Sequence, residues 1–93
     1  MPTIILNNGI KYECPFCGLA SVGILYIDVI GLDLVVALEA FSNTEATKNI
    51  QYKTVDKTTN YTGYIKLIGV EYAYNDSTAV RVALRRLYEG ETL

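Results

Sequence analysis

The two cysteines of the chain, Cys14 and Cys17, are the residues whose type and spacing could do chemistry. They lie in the segment YECPFCGLASVGILY, residues 12–26, with Pro15 and Phe16 between them. A Cys-X-X-Cys pair can be a redox centre, half of a metal site or part of a turn. The residues that surround the pair distinguish these three possibilities.

A redox pair needs its first thiolate at the N-terminus of a helix, where the dipole and free N–H groups lower the thiol pKa. The segment GLASVGILYI, which follows Cys17, has the composition of a strand. The thioredoxin and glutaredoxin families, which Cys-Pro-Phe-Cys resembles superficially, also place a later cis-proline beside the thiols. This chain has no proline after Pro15. The sequence therefore argues against a thiol-disulfide enzyme.

The segment YECPFCG resembles one half of a zinc ribbon, and this resemblance implies zinc ligation by Cys14 and Cys17. Structural zinc takes four ligands, usually Cys or His, and the chain has no further Cys and no His. A closed site would need the pairs of two chains, or a carboxylate such as Glu13. A small zinc-dependent binding module is thus an alternative hypothesis. The residues favour a tight turn between strands, with Gly18 in a permissive conformation and both thiols packed as small apolar groups.

Other catalytic arrangements are missing from the sequence. Without histidine, neither a Ser-His nor a Cys-His nucleophile pair can form. The carboxylates Asp28 and Asp33 flank a turn, and a strand end followed by a helix N-cap explains both without chemistry. No glycine-rich phosphate loop occurs. The sequence predicts a protein that is not an enzyme and has no cofactor.

The elements that must position these residues form one domain, 1–93. Asn7-Asn8-Gly9 is a strong hairpin signal at the N-terminus, and Asp33 is placed to cap a helix over LVVALEAFS. Strands are predicted at 3–6, 10–13, 21–30, 49–55, 61–74 and 79–87. In the last of these, Val80, Val82 and Leu84 alternate with Arg81 and Arg85, which predicts one solvated face. The predicted fold is α+β, a mostly antiparallel, curled or barrel-like sheet in the order β-β-β-α-β-β-β, with one helix packed on it.

Composition limits the possible partners. The chain is 51% hydrophobic and 19% charged with a net charge of −2, so it has no general attraction to nucleic acid or anionic lipid. Charged residues interrupt its longest apolar run, so no membrane span is predicted. The N-terminus lacks the pattern of a secretory signal, which makes the cytoplasm the expected compartment. High apolar content at low charge predicts a homo-oligomer.

Tyrosine is enriched, with eight copies against two Phe and no Trp. Tyr64 and Lys66 beside Arg81 and Arg85 could form an aromatic and basic surface for single-stranded nucleic acid. The acidic balance argues against that hypothesis, and tyrosine is common in protein contacts. A protein-interaction surface is predicted instead, comprising Tyr61, Tyr64, Tyr72 and Tyr74.

Residues 38–86 contain LEAFSNTEATKNI, then YTGYIKLIGVEY, then AVRVALRR. This series resembles small proteins of unassigned role encoded in the structural gene clusters of tailed phages and prophages of Gram-positive bacteria. The resemblance implies a virion-associated or assembly protein that acts by self-association and docking to other phage structural proteins. It would act in the host cytoplasm or in the virion. The segment ECPFCG departs from the pattern of those proteins.

Overall fold

A computed structural model describes residues 2–73 and 76–92, with the backbone alone at 76 and 77. Eight strands and two helices follow one another in this part of the chain. The strands are β1 Thr3–Ile5, β2 Lys11–Glu13, β3 Phe16–Leu19, β4 Ile24–Ile30, β5 Asn49–Lys53, β6 Thr58–Thr62, β7 Lys66–Ala73 and β8 Asp76–Arg85. The helices are α1 Leu34–Ser42 and α2 Thr44–Thr47. The predicted α+β class is confirmed.

The strands form two antiparallel sheets of four strands each. Sheet I has the order β2-β1-β5-β6, and sheet II has the order β3-β4-β8-β7. The prediction of a mostly antiparallel fold is confirmed, but the sheets do not close into a barrel. The chain passes from sheet I to sheet II between β2 and β3, and again between β6 and β7. It returns from sheet II to sheet I through the helices between β4 and β5, so the strands are divided between separate sheets, each with its own edges.

The predicted order of three strands, one helix and three strands is corrected to four strands, two helices and four strands. β3 begins at Phe16, so only Cys14 and Pro15 connect it to β2, and Gly18 lies within a strand. The predicted strand 61–74 is interrupted after β6 by Gly63, whose φ of +83° turns the chain toward the other sheet. Residues 74 and 75 lie outside the described part. Composition alone could not separate two adjoining β-rich segments.

Local signals placed the N-terminal hairpin and the main helix correctly. β1 pairs with β2, and Gly9 in the connecting turn has a φ of +87°. Asp33 caps α1 by accepting a hydrogen bond from the Val36 N–H at 2.8 Å. The segment between α1 and β5, where the sequence indicates neither helix nor strand, contains α2, whose N-cap Asn43 accepts from the Glu45 N–H at 3.1 Å. A side-chain cap therefore begins each helix.

The core lies between the two sheets and under α1. Alternate residues of β4 and β8 face inward, as the period of a strand requires. They are Leu25, Ile27, Val29, Val80, Val82 and Leu84, and all are fully buried. Ile4 and Ile50 of sheet I and Phe41 of α1 join the same cluster. No other element of the described part of the chain forms a layer over the opposite face of sheet II.

Candidate functional site

The two cysteines lie inside the molecule as free thiols. Cys14 connects β2 to β3 and is fully buried, and its thiol donates a hydrogen bond to the carbonyl oxygen of Phe16 at 3.1 Å. Cys17, in β3, packs against the core beside the hydroxyl of Tyr61. Burial raises the pKa of each thiol to about 12. A low-dielectric surrounding has this effect because it disfavours the thiolate.

This placement does not fit a structural zinc site. In the part of the chain that the structure describes, no third Cys, His, Asp or Glu joins the pair in a group that could hold a metal ion. A second chain could reach the Cys14 sulfur only if the sheets opened, because the residue has no exposed surface. Glu13, the carboxylate considered as a further ligand, faces away from the core on sheet I. The direct test of the zinc hypothesis is the metal content of the purified protein.

Slow alkylation of both thiols is expected in the folded protein at neutral pH. A rise of the thiol pKa from 9.0 to about 12 lowers the thiolate fraction about a thousandfold, and the thiolate is the nucleophile. The measurement is the rate of iodoacetamide labelling by mass spectrometry, in buffer and in guanidinium chloride. Unfolding should restore the rate of an ordinary cysteine. Rapid labelling of Cys14 in buffer would contradict its burial and favour the redox hypothesis.

Three of the four predicted interface tyrosines, Tyr61, Tyr64 and Tyr72, lie in the described part of the chain. Tyr61 and Tyr64 contact each other edge to face, with ring centres 6.1 Å apart, and Tyr64 is buried. The guanidinium of Arg86 lies 4.8 Å from the Tyr64 ring centre. Tyr72 is exposed on β7, and Tyr74 lies outside the described residues. Because Tyr64 is 5% exposed, little of its ring is available to a partner.

The uncovered face of sheet II carries a different group of aromatic and charged side chains. We call this face of sheet II the outer face. Cross-strand register places its members in rows, because directly opposed residues share one side of a sheet. They include Phe16 of β3, Ile24, Tyr26 and Asp28 of β4, Arg81, Ala83 and Arg85 of β8, and Lys66, Ile68 and Glu71 of β7. Phe16 and Ile68 are among the exposed large apolar residues of the chain.

An ion pair holds the centre of the outer face in one arrangement. Arg81 and Asp28 are opposed in the register, and Nε and Nη2 of Arg81 donate to the two carboxylate oxygens at 2.7 and 2.9 Å. The Asp28 side chain is 10% exposed and that of Arg81 33%. The guanidinium lies 5.7 Å from the ring centre of Phe16 and 6.0 Å from that of Tyr26. The hydrogen bond with Asp28 raises the pKa of Arg81, so the charge is permanent.

A second arginine attaches the C-terminal turn beside this pair. Arg85 donates from Nη1 and Nη2 to the two carboxylate oxygens of Glu91, at 2.7 Å each. The Glu91 carboxylate also accepts from the backbone N–H of Tyr88 at 2.8 Å. The Tyr88 ring centre lies 4.1 Å from the Arg85 guanidinium. The hydrogen bond from Arg85 lowers the pKa of Glu91 to about 2. Both arginines are thus held in place before any partner binds.

A groove of about 290 Å³ runs along the outer face. Tyr26, Ile68, Gly69, Val70, Glu71, Arg81 and Ala83 line it. We call it the outer groove. Gly69 and Ala83 are opposed in the register, and a Cβ added at Gly69 would meet nothing within 4 Å. A shift in register between Leu67 and Gly69 places Ile68 at the wall. Small residues on the floor and larger ones at the walls make this a site for an apolar side chain.

A larger cleft of about 440 Å³ lies over sheet I, but its lining is less suited to recognition. Its walls are Ile5, Leu6, Asn7, Gly9, Asn49, Gln51, Asn60 and Thr62. None of these residues has an aromatic ring or a charge. We therefore take the outer face of sheet II as the candidate site, since aromatic residues and Arg are the types enriched where proteins bind one another.

Sequence patterns indicated part of this site. The alternation of β8 predicted that Arg81 and Arg85 would share a solvated face, and both lie on the outer face. Asp28 was assigned to a strand end rather than to an ion pair, because its partner is 53 residues away. Phe16, Tyr26 and Ile68 were missed for the same reason. Only the pairing of β3, β4, β8 and β7 brings these side chains together.

The fold and the site define a class, an α+β protein of two antiparallel sheets with a preordered, exposed face on sheet II. Comparison with protein families, curated proteins and solved structures found no match to this chain. Among the described residues, neither helix has the length and apolar character needed to cross a bilayer.

Proposed function

We propose that this chain is a non-enzymatic structural or interaction protein that self-associates through the outer face of sheet II. The observation that carries the proposal is the group formed by Phe16, Tyr26 and Arg81 next to the outer groove, all left uncovered by the rest of the described chain. Aromatic and arginine side chains contribute most of the affinity in many protein interfaces. The site has the composition of such an interface.

The fixed geometry of the outer face favours association. Binding normally costs about 0.5–1.5 kcal/mol for each long side chain that becomes immobile. Asp28 and Glu91 already hold Arg81 and Arg85 through paired hydrogen bonds. Little of that cost therefore remains to be met on binding. A second copy of the chain is the proposed partner, in keeping with the high apolar content and low charge of the sequence.

The wider role that we propose is that of a phage or prophage component in the virion or its assembly, present in the host cytoplasm or in the virion. The resemblance of residues 38–86 to small proteins of phage structural gene clusters supports this role. Other phage structural proteins are then further candidate partners. Self-association is the property that can be tested with the purified chain alone.

Replacing Ile68 with Glu is expected to weaken self-association about a hundredfold. Ile68 is 49% exposed at the groove wall, so the change should not disturb the fold but would bury an unpaired carboxylate in the interface. The measurement is sedimentation velocity from low to high micromolar concentration. Native mass spectrometry of protein purified without chelator gives the subunit count, and it detects zinc in the same spectrum.

Val55→Glu is the matched control, because Val55 is 99% exposed in the turn between β5 and β6, on sheet I. It should associate like the wild type. A wild-type chain that stays monomeric at high micromolar concentration would contradict self-association altogether. Equal association of the Ile68→Glu variant and the wild type would instead exclude the outer groove as the contact.

A further inference from the structure

Helix α1 presents an exposed stripe with two large apolar side chains beside its core contacts. Val35, Leu38 and Glu39 stand at positions i, i+3 and i+4 and therefore lie together on one side of the helix. Val35 is 64% and Leu38 47% exposed. Ala37 and Phe41, on the adjoining face of the helix, are buried in the core. We call Val35, Leu38 and Glu39 the helix stripe.

The helix stripe and the outer groove lie on opposite sides of sheet II. α1 packs against β7 and β8, and Phe41 belongs to the same cluster as the inward residues Val80, Val82 and Leu84. The groove residues Arg81 and Ala83 alternate with those residues and point the other way. One molecule therefore cannot bring its own stripe into its own groove.

We propose that the helix stripe of a second copy of this chain occupies the outer groove, so that the copies associate head to tail. This inference rests on the proposed function and names the contact that performs it. Helix-in-groove recognition uses apolar anchors at this helical spacing. Leu38 would enter the groove between Tyr26 and Ile68, over the small residues Gly69 and Ala83.

Charge complementarity sets the direction of the docked helix. Glu39, next to Leu38, is the only charged residue within α1. On the outer face, Asp28 binds Arg81 and Glu91 binds Arg85 through paired hydrogen bonds. Lys66, which lies near Glu91, and Glu71, which lies opposite Arg81, stand on β7 at opposite ends of the segment that contains Ile68. The favoured direction places Glu39 near Lys66 and away from Glu71.

A head-to-tail contact has a consequence that a two-fold symmetric one does not. The stripe and the groove are different surfaces, so one end of an open assembly keeps a free stripe and the other end keeps a free groove. Association therefore continues until a ring closes or a filament grows. A contact between two outer faces would stop at a dimer. The two arrangements are therefore distinguished by which variants associate and with which partner.

The test uses two variants that each damage one surface, Leu38→Glu and Ile68→Glu. Both positions are exposed, and Glu is a good helix former at position 38, so both chains should fold, which circular dichroism checks. Each variant alone is expected to lose association about a hundredfold. Mixed in equal amounts, they should form a complex of one chain of each, because the intact stripe of one meets the intact groove of the other. Val55→Glu again serves as the control.

A charge exchange tests the direction of the docked helix. Glu39→Lys and Lys66→Glu should each weaken association about tenfold, and the chain that carries both should recover the wild-type affinity. A failure of the double variant to recover would overturn the pairing of Glu39 with Lys66.

The results separate this inference from the proposed function. If the wild type associates and Ile68→Glu does not, while Leu38→Glu associates normally, then the outer face meets something other than the helix stripe. Only the head-to-tail contact would then be wrong. If the two variants fail to form a mixed complex, the same conclusion follows. A monomeric wild-type chain would overturn both proposals.

Discussion

Replacing Arg81 with Met is expected to lower the free energy of unfolding by about 3 kcal/mol, because it leaves the nearly buried carboxylate of Asp28 without its partner. Asp28 accepts two hydrogen bonds from Arg81, at 2.7 and 2.9 Å. Breaking such a pair on one side costs more than the pair contributes, since the remaining charge must stay desolvated or disrupt the sheet. The melting temperature should fall by on the order of 15 °C, as expected for a domain of this size.

Two further variants separate the pair from the arginine itself. Lys53→Met removes an exposed cation on sheet I and should change stability by less than about 0.5 kcal/mol. The double variant Asp28→Leu, Arg81→Met removes both charges and should recover most of the loss, because an apolar pair of similar size tolerates burial. Guanidinium chloride unfolding measures all three. A double variant less stable than Arg81→Met alone would contradict the assignment of the loss to the unpaired carboxylate.

The same ion pair illustrates how much of this molecule the sequence predicts. Alternation along β8 was sufficient to assign Val80, Val82 and Leu84 to one face and the arginines to the other, because strand periodicity is local. Turn and cap residues were sufficient for the hairpin at Gly9 and for the start of α1 at Asp33. These signals lie within a few residues of the structure that they specify.

The pairing of strands that are distant in sequence could not be predicted from such local signals. The sequence predicts a single strand at 21–30, yet residues 16–30 form two antiparallel strands separated by a turn at Gly23, with a φ of +84°. The outer groove needs β7 next to β8 and a register shift at Ile68, and neither follows from local composition. The candidate site could be predicted only as far as a solvated, basic strand face.

The cysteines show the opposite limit, where a local motif indicates thiolate chemistry that its surroundings disfavour. Cys-Pro-Phe-Cys permits a metal or a redox centre by spacing alone. Placement between two sheets rather than at a helix N-terminus raises the pKa of both thiols to about 12. The surroundings of a motif, more than its spacing, therefore decide its reactivity.

Replacing Phe41 with Ala is expected to have the largest effect of any change considered, a loss of about 4 kcal/mol in the free energy of unfolding. Phe41 is the largest fully buried side chain among the described residues, and its ring centre lies 6.1 Å from that of Tyr12 in β2. The substitution removes apolar surface that folding buries, and it removes the contact that joins α1 to the N-terminal hairpin. The free energy of unfolding of a native domain is about 5–15 kcal/mol in total, so the variant should be only marginally stable.

Phe41→Leu is the matched control, since it keeps an apolar side chain and should cost about 1.5 kcal/mol or less. Urea unfolding and thermal melting measure both variants. A loss below about 2 kcal/mol for Phe41→Ala would mean that the sheets close over the vacated space.

The helix stripe on α1 gives the same change a functional consequence, because Phe41 anchors the helix that presents Leu38. At a temperature where Phe41→Ala remains folded, its association should therefore weaken, whereas that of Phe41→Leu should not.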